Sequence, residues 1–149
     1  MKVYIGADHN GFQLGRELLE YLKNAGYDVH DDGGAALDPD DDFPVFAARV
    51  VKDILSSDDA DARGILICGS GQGMCIAANR FKGIRALLGY DRESVRSARN
   101  DDDANILCLP ASIFKQDSAN ALVETFLTTP FAAAPRFVRR LKEIDEIVG

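Results

Sequence analysis

The chain contains no tryptophan, and its 3 cysteines, 2 histidines and 5 prolines are thinly scattered. Three cysteines form no paired framework, so the fold must hold without disulfide staples, and an odd count with no secretion signal suits a reducing cytoplasm. No Cys-x-x-Cys occurs and histidines are few, which argues against a zinc centre. No apolar run approaches the roughly 20 residues that a membrane-spanning helix needs. Met1 to Ile5 opens like a signal sequence, but Gly6-Ala7-Asp8-His9 ends the apolar run too early. An excess of positive charge is also missing. The net charge is −7, so a nucleic acid or an anionic membrane is not expected as the main partner. An anionic ligand would need a local basic cluster.

What remains is a soluble globular balance, 46% hydrophobic and 28% charged, over 149 residues. That length suits one domain spanning 1–149, long enough to bury roughly 70% of its unfolded surface. Short apolar runs at Val3–Ala7, Tyr27–His30, Ile65–Cys68, Ile84–Leu88 and Ile106–Leu109 read as strands. Between them, apolar residues recur at helical spacing. Leu14, Leu18, Tyr21 and Leu22 mark one helix, with Gly26 as its stop, and Phe46, Val50 and Ile54 another. Short helices are expected over Met74–Arg80, Arg92–Asn100 and Ala119–Leu127, the last broken by Pro130. Phe137, Leu141, Ile144 and Val148 define a final amphipathic helix. Alternating strands and helices imply an α/β fold with a five-stranded parallel sheet covered on both faces. In such a sheet the ligand crevice lies beyond the carboxyl ends of the strands.

That rule directs attention to Cys68-Gly69-Ser70-Gly71-Gln72-Gly73. Alternate glycines let a backbone approach a ligand closely, and the following helix points free N–H groups forward. The run cannot be laid on the dinucleotide fingerprint, the P-loop or the nucleophile elbow. It is either a tight strand-to-helix turn or a cradle for an oxyanion or phosphate. Cys68, just ahead of it, is either a packing residue or a reactive thiol near a helix N-terminus. Cys75 and Cys108 read as core residues. Asp8 and His9 follow the first strand into the same crevice. They suit hydroxyl recognition or proton transfer, unless Asp8 is only a helix cap. Arg136 and Arg140 share one face of the last helix and could grip a phosphate, although a solvated basic face gives the same pattern. Asp38, Asp40, Asp41 and Asp42 lack the glycine and distal glutamate of an EF-hand and read as a solvated acidic loop.

In combination these pieces resemble ribose-5-phosphate isomerase B and its galactose-6-phosphate isomerase relatives. The match runs through Gly6–Gly11, Cys68–Gly73, Ile76–Arg80, Gly83–Ala86, Asp103-Ala104-Asn105 and the C-terminal arginines. The resemblance implies a Rossmann-like three-layer sandwich. It also implies a homodimer with sites at the subunit interface, and no cofactor or metal. The implied reaction is aldose–ketose isomerisation of a sugar phosphate through an enediolate. Carried over by position, Cys68 is the base, and Ser70 with Gly69, Gly71 and Gly73 lines the oxyanion site. Asp8 contacts sugar hydroxyls, and His9, Arg136 and Arg140 bind phosphate, the arginines across the dimer.

The chain departs from the family at three places. Asp101-Asp102-Asp103 stands where the family usually has His-Asn-Asp. Phe43 stands in place of a tyrosine, and Ser112 in place of a phosphate-binding arginine. Two expectations follow from the first change. Asp101 takes over ring opening, with Asp102 as a substrate contact and Asp103 helping to raise the Asp101 pKa. Otherwise the substrate is a short or open-chain sugar phosphate that needs no ring opening. A non-catalytic sugar-phosphate-binding or regulatory protein on the same fold is the alternative to an enzyme.

Overall fold

The computed structural model describes residues 1–147. Val148 of the expected final helix therefore lies outside the described residues. Five strands, β1 (Lys2–Ala7), β2 (Asp28–Asp31), β3 (Arg63–Cys68), β4 (Ala86–Leu88) and β5 (Ile106–Pro110), form one sheet in the order β2-β1-β3-β5-β4. Every pairing is parallel. Six helices accompany them: α1 (Phe12–Asn24), α2 (Phe43–Ser56), α3 (Gln72–Ala78), α4 (Arg92–Asp102), α5 (Gln116–Thr128) and α6 (Pro135–Ile147). This is the expected α/β three-layer arrangement. None of these helices is long and apolar enough to cross a membrane.

Strand alternation builds two cores, one on each face. Val3, Ile5, Ile65, Ile67, Leu107 and Leu109 face α1, α4 and α5 and meet Leu18, Leu22, Val95 and Phe126. Tyr4, Leu66, Cys68, Ile106 and Cys108 face the other way, onto Phe46, Val50 and Met74 of α2 and α3. Strands apolar on both faces are what a doubly covered sheet requires.

Several boundaries shift by one to three residues, and at three of them the local reason is visible. β4 begins at Ala86 and not Ile84, because two asparagine side chains intervene. Asn105 Oδ1 accepts from the Arg85 amide at 2.8 Å, and Asn79 Oδ1 accepts from the Ala86 amide at 2.8 Å. α3 starts at Gln72, directly after Gly71, whose φ of +74° ends the extended chain. α4 runs on to Asp102 and stops at Asp103, which turns left-handed with φ 47°. Asp103 is held there by Arg85 and Arg99, each 2.9 Å from one of its oxygens.

Candidate functional site

Parallel register places the ends of β1, β3 and β5 side by side. Ala7 pairs with Ile67, and Cys68 with Pro110. Asp8 and Cys68 therefore emerge on the same rim. The chain leaving β5 clips the loop that follows Cys68. The Ala111 amide donates to the Cys68 carbonyl at 2.9 Å. Ser112 donates to the Gly69 carbonyl through its amide at 3.0 Å and its hydroxyl at 2.6 Å. The hydroxyl is thus engaged by the loop.

Within the loop, the Gly71 amide donates to Cys68 Sγ at 3.2 Å, so this sulfur is pinned at the loop's floor. The resemblance places Gly71 at an oxyanion site, and in this structure its amide is engaged by the sulfur. Cys68 is 5% exposed. Ser70 is exposed, and its hydroxyl accepts from the Gln72 amide at 3.3 Å. Gly73 lies against the ring of Phe43, and a Cβ there would fall 2.7 Å from Cζ. A side chain at this position would displace the Phe43 ring from the start of α3. The first amides of a helix have no partner within it, which leaves donors at this turn.

Asp8 is buried, at 4% exposure, and its Oδ1 accepts from the Gly11 amide at 3.0 Å. Burial raises its pKa above the ordinary carboxylate value, against the opposing pull of that hydrogen bond. His9 meets a residue that the sequence reading left in a solvated acidic loop. Asp41 Oδ1 lies 2.7 Å from His9 Nδ1 and accepts from the His9 amide at 3.0 Å. That hydrogen bond is the main reason the His9 pKa is raised above its usual value. Asp8, His9 and Asp41 bring their ligand-type atoms within 4.8 Å of one another. Asp8 is bonded to the Gly11 amide and Asp41 to His9, so these groups are engaged in two separate hydrogen-bonded pairings.

The remaining expected residues lie elsewhere in the chain. Asp101 and Asp102 end α4, immediately before β5, at the amino rim of the sheet. β5 alone separates that rim from the level of Cys68 by about 13 Å, four steps of about 3.3 Å. Arg140 on α6 lies close enough to Asp102 to oppose the rise in the Asp102 pKa that burial and Asp101 produce. Arg136 is exposed, with its guanidinium 4.3 Å from the Phe137 ring centroid. Asp101 Oδ1 accepts from the Asn100 amide group at 2.7 Å. Asp103, expected to act on Asp101, is instead neutralised by Arg85 and Arg99. One chain thus brings together Asp8, His9, Cys68, Gly69, Ser70, Gly71 and Gly73. It holds Asp101, Asp102, Arg136 and Arg140 apart from them.

The second group sits beside an unpartnered surface. α6 rests on α4, and its Val138, Ile144 and Ile147 are 49%, 43% and 81% exposed. Next to edge strand β4, a groove of about 350 Å³ is lined by Phe81, Ile84, Leu87, Asp102 and Ile144, among others.

The profile of a family described as Ribose/Galactose Isomerase matches residues 3–144. The chain is 35% identical over 146 residues to ribose-5-phosphate isomerase B of Mycolicibacterium paratuberculosis, covering 98% of this chain and 91% of that protein. It is 40% identical over 132 residues to 4-deoxy-4-sulfo-D-erythrose isomerase of a Clostridium species, covering 88% and 81%. The crystal structure of ribose 5-phosphate isomerase from Thermotoga maritima superposes with a TM-score of 0.91 at 42% identity, covering 97% of each chain.

Proposed function

The chain belongs to the ribose/galactose isomerase family and is a sugar-phosphate isomerase of the ribose-5-phosphate isomerase B type; from that premise we propose a mechanism, an assembly and a substrate range. Cys68 is the base. Its thiolate takes the proton from C2 of the aldose, and the C–H electrons move into the C1–C2 bond. The C1 oxygen gains the charge of an enediolate. Ser70 and the free amides around Gly69 and Gly73 stabilise that charge; the O2 hydroxyl proton passes to O1, and returning the carbon-bound proton to C1 leaves the C2 carbonyl and C1 hydroxyl of the ketose. Asp8 binds a sugar hydroxyl, and His9 meets the terminal anion. The observation that carries this reading is the loop itself. Cys68 Sγ is fixed by the Gly71 amide at 3.2 Å, and Ser112 buttresses the same loop from the end of β5.

The site is completed by a second copy. Arg136 and Arg140, with Asp101 and Asp102, reach across a homodimer onto the partner's Cys68 loop. The exposed apolar face of α6 and the groove beside β4 support that assembly, because they leave large apolar side chains uncovered. Asp101 serves as the acid–base group where ring opening is required.

The substrate is a short aldose with a terminal anion. Ser112 is turned back onto Gly69, so this residue adds no charge to the anion grip. A relative named for 4-deoxy-4-sulfo-D-erythrose points the same way. An aldose sulfonated at C4 has no 4-hydroxyl, cannot close a furanose ring and needs no ring opening.

NMR in D2O with ribose 5-phosphate, tetrose 4-phosphates and 4-deoxy-4-sulfo-erythrose tests this directly. Deuterium enters C2 of at least one of them with the native chain and not with Cys68→Ala. Full exchange by Cys68→Ala would remove Cys68 from the mechanism.

A further inference from the structure

His9 and Asp41 arrive from different loops, yet one oxygen of Asp41 takes two donors of the same residue. The His9 backbone amide lies at 3.0 Å and the ring Nδ1 at 2.7 Å. The contact is sheltered, with the Asp41 side chain 13% exposed and that of His9 31%. Bonding both the backbone and the ring fixes where the imidazole stands and how it is turned. With Nδ1–H donating to a carboxylate, Nε2 is left with one of two roles. It accepts in the neutral ring and donates in the imidazolium. Only the imidazolium suits an anion.

The charged groups acting on the ring are Asp41, Asp8 and Asp38, and all three favour the cation, while burial opposes it. Asp8 contributes from the end of β1, and Asp38 and Asp41 from the loop that leads into α2. Asp8 is itself displaced toward its neutral form by burial. That leaves Asp41, in direct contact, as the dominant partner.

We propose that Asp41 is a positioning residue that fixes the place and turn of the His9 ring, so that Nε2–H faces the terminal oxyanion of the substrate. The proposal rests on the reading of His9 as the anion contact. Phosphate and sulfonate share the chemistry, an oxyanion accepting from Nε2–H. Asp41 does not touch the substrate. It acts through His9 alone.

Two readouts test it on the full chain. The first needs no substrate. With only 2 histidines, His9 and His30, the imidazole signals can be followed by 15N-detected NMR against pH. In Asp41→Asn and Asp41→Ala, His9 titrates at lower pH than in the native protein. The His30 ring stacks on Tyr4 with centroids 4.9 Å apart, and unchanged chemical shifts of these two rings report that the fold is intact. The second readout is kinetic, on whichever of ribose 5-phosphate or 4-deoxy-4-sulfo-erythrose is turned over. Asp41→Asn raises KM roughly tenfold with kcat changed less than about twofold, as expected when a charge-assisted contact to a remote group weakens. The pH at which KM begins to climb falls in parallel with the His9 titration. In a His9→Asn background the same Asp41→Asn change leaves KM where it was.

An unaltered His9 titration in Asp41→Asn overturns the proposal. So does a KM effect that persists in the His9→Asn background. Failure of the native chain to turn over either sugar would count against the isomerase substrate proposed above, and the substrate-free titration would still decide the role of Asp41.

Discussion

Cys68 closes β3 at the carboxyl rim of the sheet, and Arg140 stands beside Asp102 near the amino rim. If the working site joins one chain's sulfur to the other chain's arginine, two inactive variants repair each other. The Cys68→Ala homodimer loses roughly 10²–10⁴-fold for removal of a general base, and the Arg140→Ala homodimer roughly 10–10²-fold for loss of a charge-assisted contact. Equal amounts exchanged to equilibrium give about half mixed dimers. In a mixed dimer one site collects both lesions and the other has neither. About half the dimers with one of two sites intact amounts to roughly a quarter of native activity, as two-fold symmetry requires. The assay is turnover of the best substrate after co-refolding differently tagged variants at a series of ratios. Activity should follow a parabola that peaks near equal proportions and falls to the parental values at both ends. A straight line between the two parents would refute the shared site, because it means that both lesions fall on one chain's own site.

Further consequences concern single side chains. Asp103→Ala removes the carboxylate that Arg99 and Arg85 share. Arg99 is 3% exposed but Asp103 35%, so the buried-charge penalty is partly relieved by water, and a loss of about 2 kcal/mol is expected, a fall in Tm of roughly 4–8 °C by calorimetry. Asp103→Gly should lose less, because it tolerates the left-handed backbone. Gly73→Ala should lower turnover with the chain still folded by circular dichroism, since a new methyl would meet the Phe43 ring at 2.7 Å and push it aside at the mouth of the loop. Asp32 is raised to about 7, chiefly by burial and then by Asp53. The folded chain therefore holds a proton that the unfolded chain has released between about pH 4 and 7, so stability falls as pH rises through that window. Asp32→Asn removes the effect. Its urea midpoint should gain on the native one from pH 5 to pH 8, by the equivalent of roughly 1–2 kcal/mol after allowance for solvent, and a constant gap would refute the assignment.

The centre of the sheet was legible because β1, β3 and β5 are unbroken apolar runs. Val3, Ile5, Ile65, Ile67, Leu107 and Leu109 on one face and Leu66, Ile106 and Cys108 on the other all lie at 0–1% exposure, as a doubly covered sheet requires. The insertion of β5 between β3 and β4 was not legible, since strand order depends on crossovers that leave no local mark. The start of β4 was hidden for a different reason. Asn79 and Asn105 imitate backbone acceptors, and side-chain competition of that kind does not disturb the hydrophobic pattern. At the site, the Cys68 loop announced itself through its glycines. Asp41 did not, because one acid among several in a polar loop looks solvated until its partner is known. The separation of Asp101 and Asp102 from Cys68 did have a sequence signal. Residues just ahead of a strand in a parallel sheet occupy the rim opposite to those that follow one. Identity of the enzyme class came from the same motifs, and the family relationship removes the purely binding alternative.

The loop before α2 has two points of attachment. Asp41 grips His9, and two residues later Phe43 leans on Gly73 with no room for a methyl group. One segment thus borders both ends of a bound sugar. Its hold on the tail is the same before and during the reaction, so it contributes affinity and little rate. A sugar shorn of its anionic tail should then bind weakly, yet react at close to the native rate once it saturates the protein.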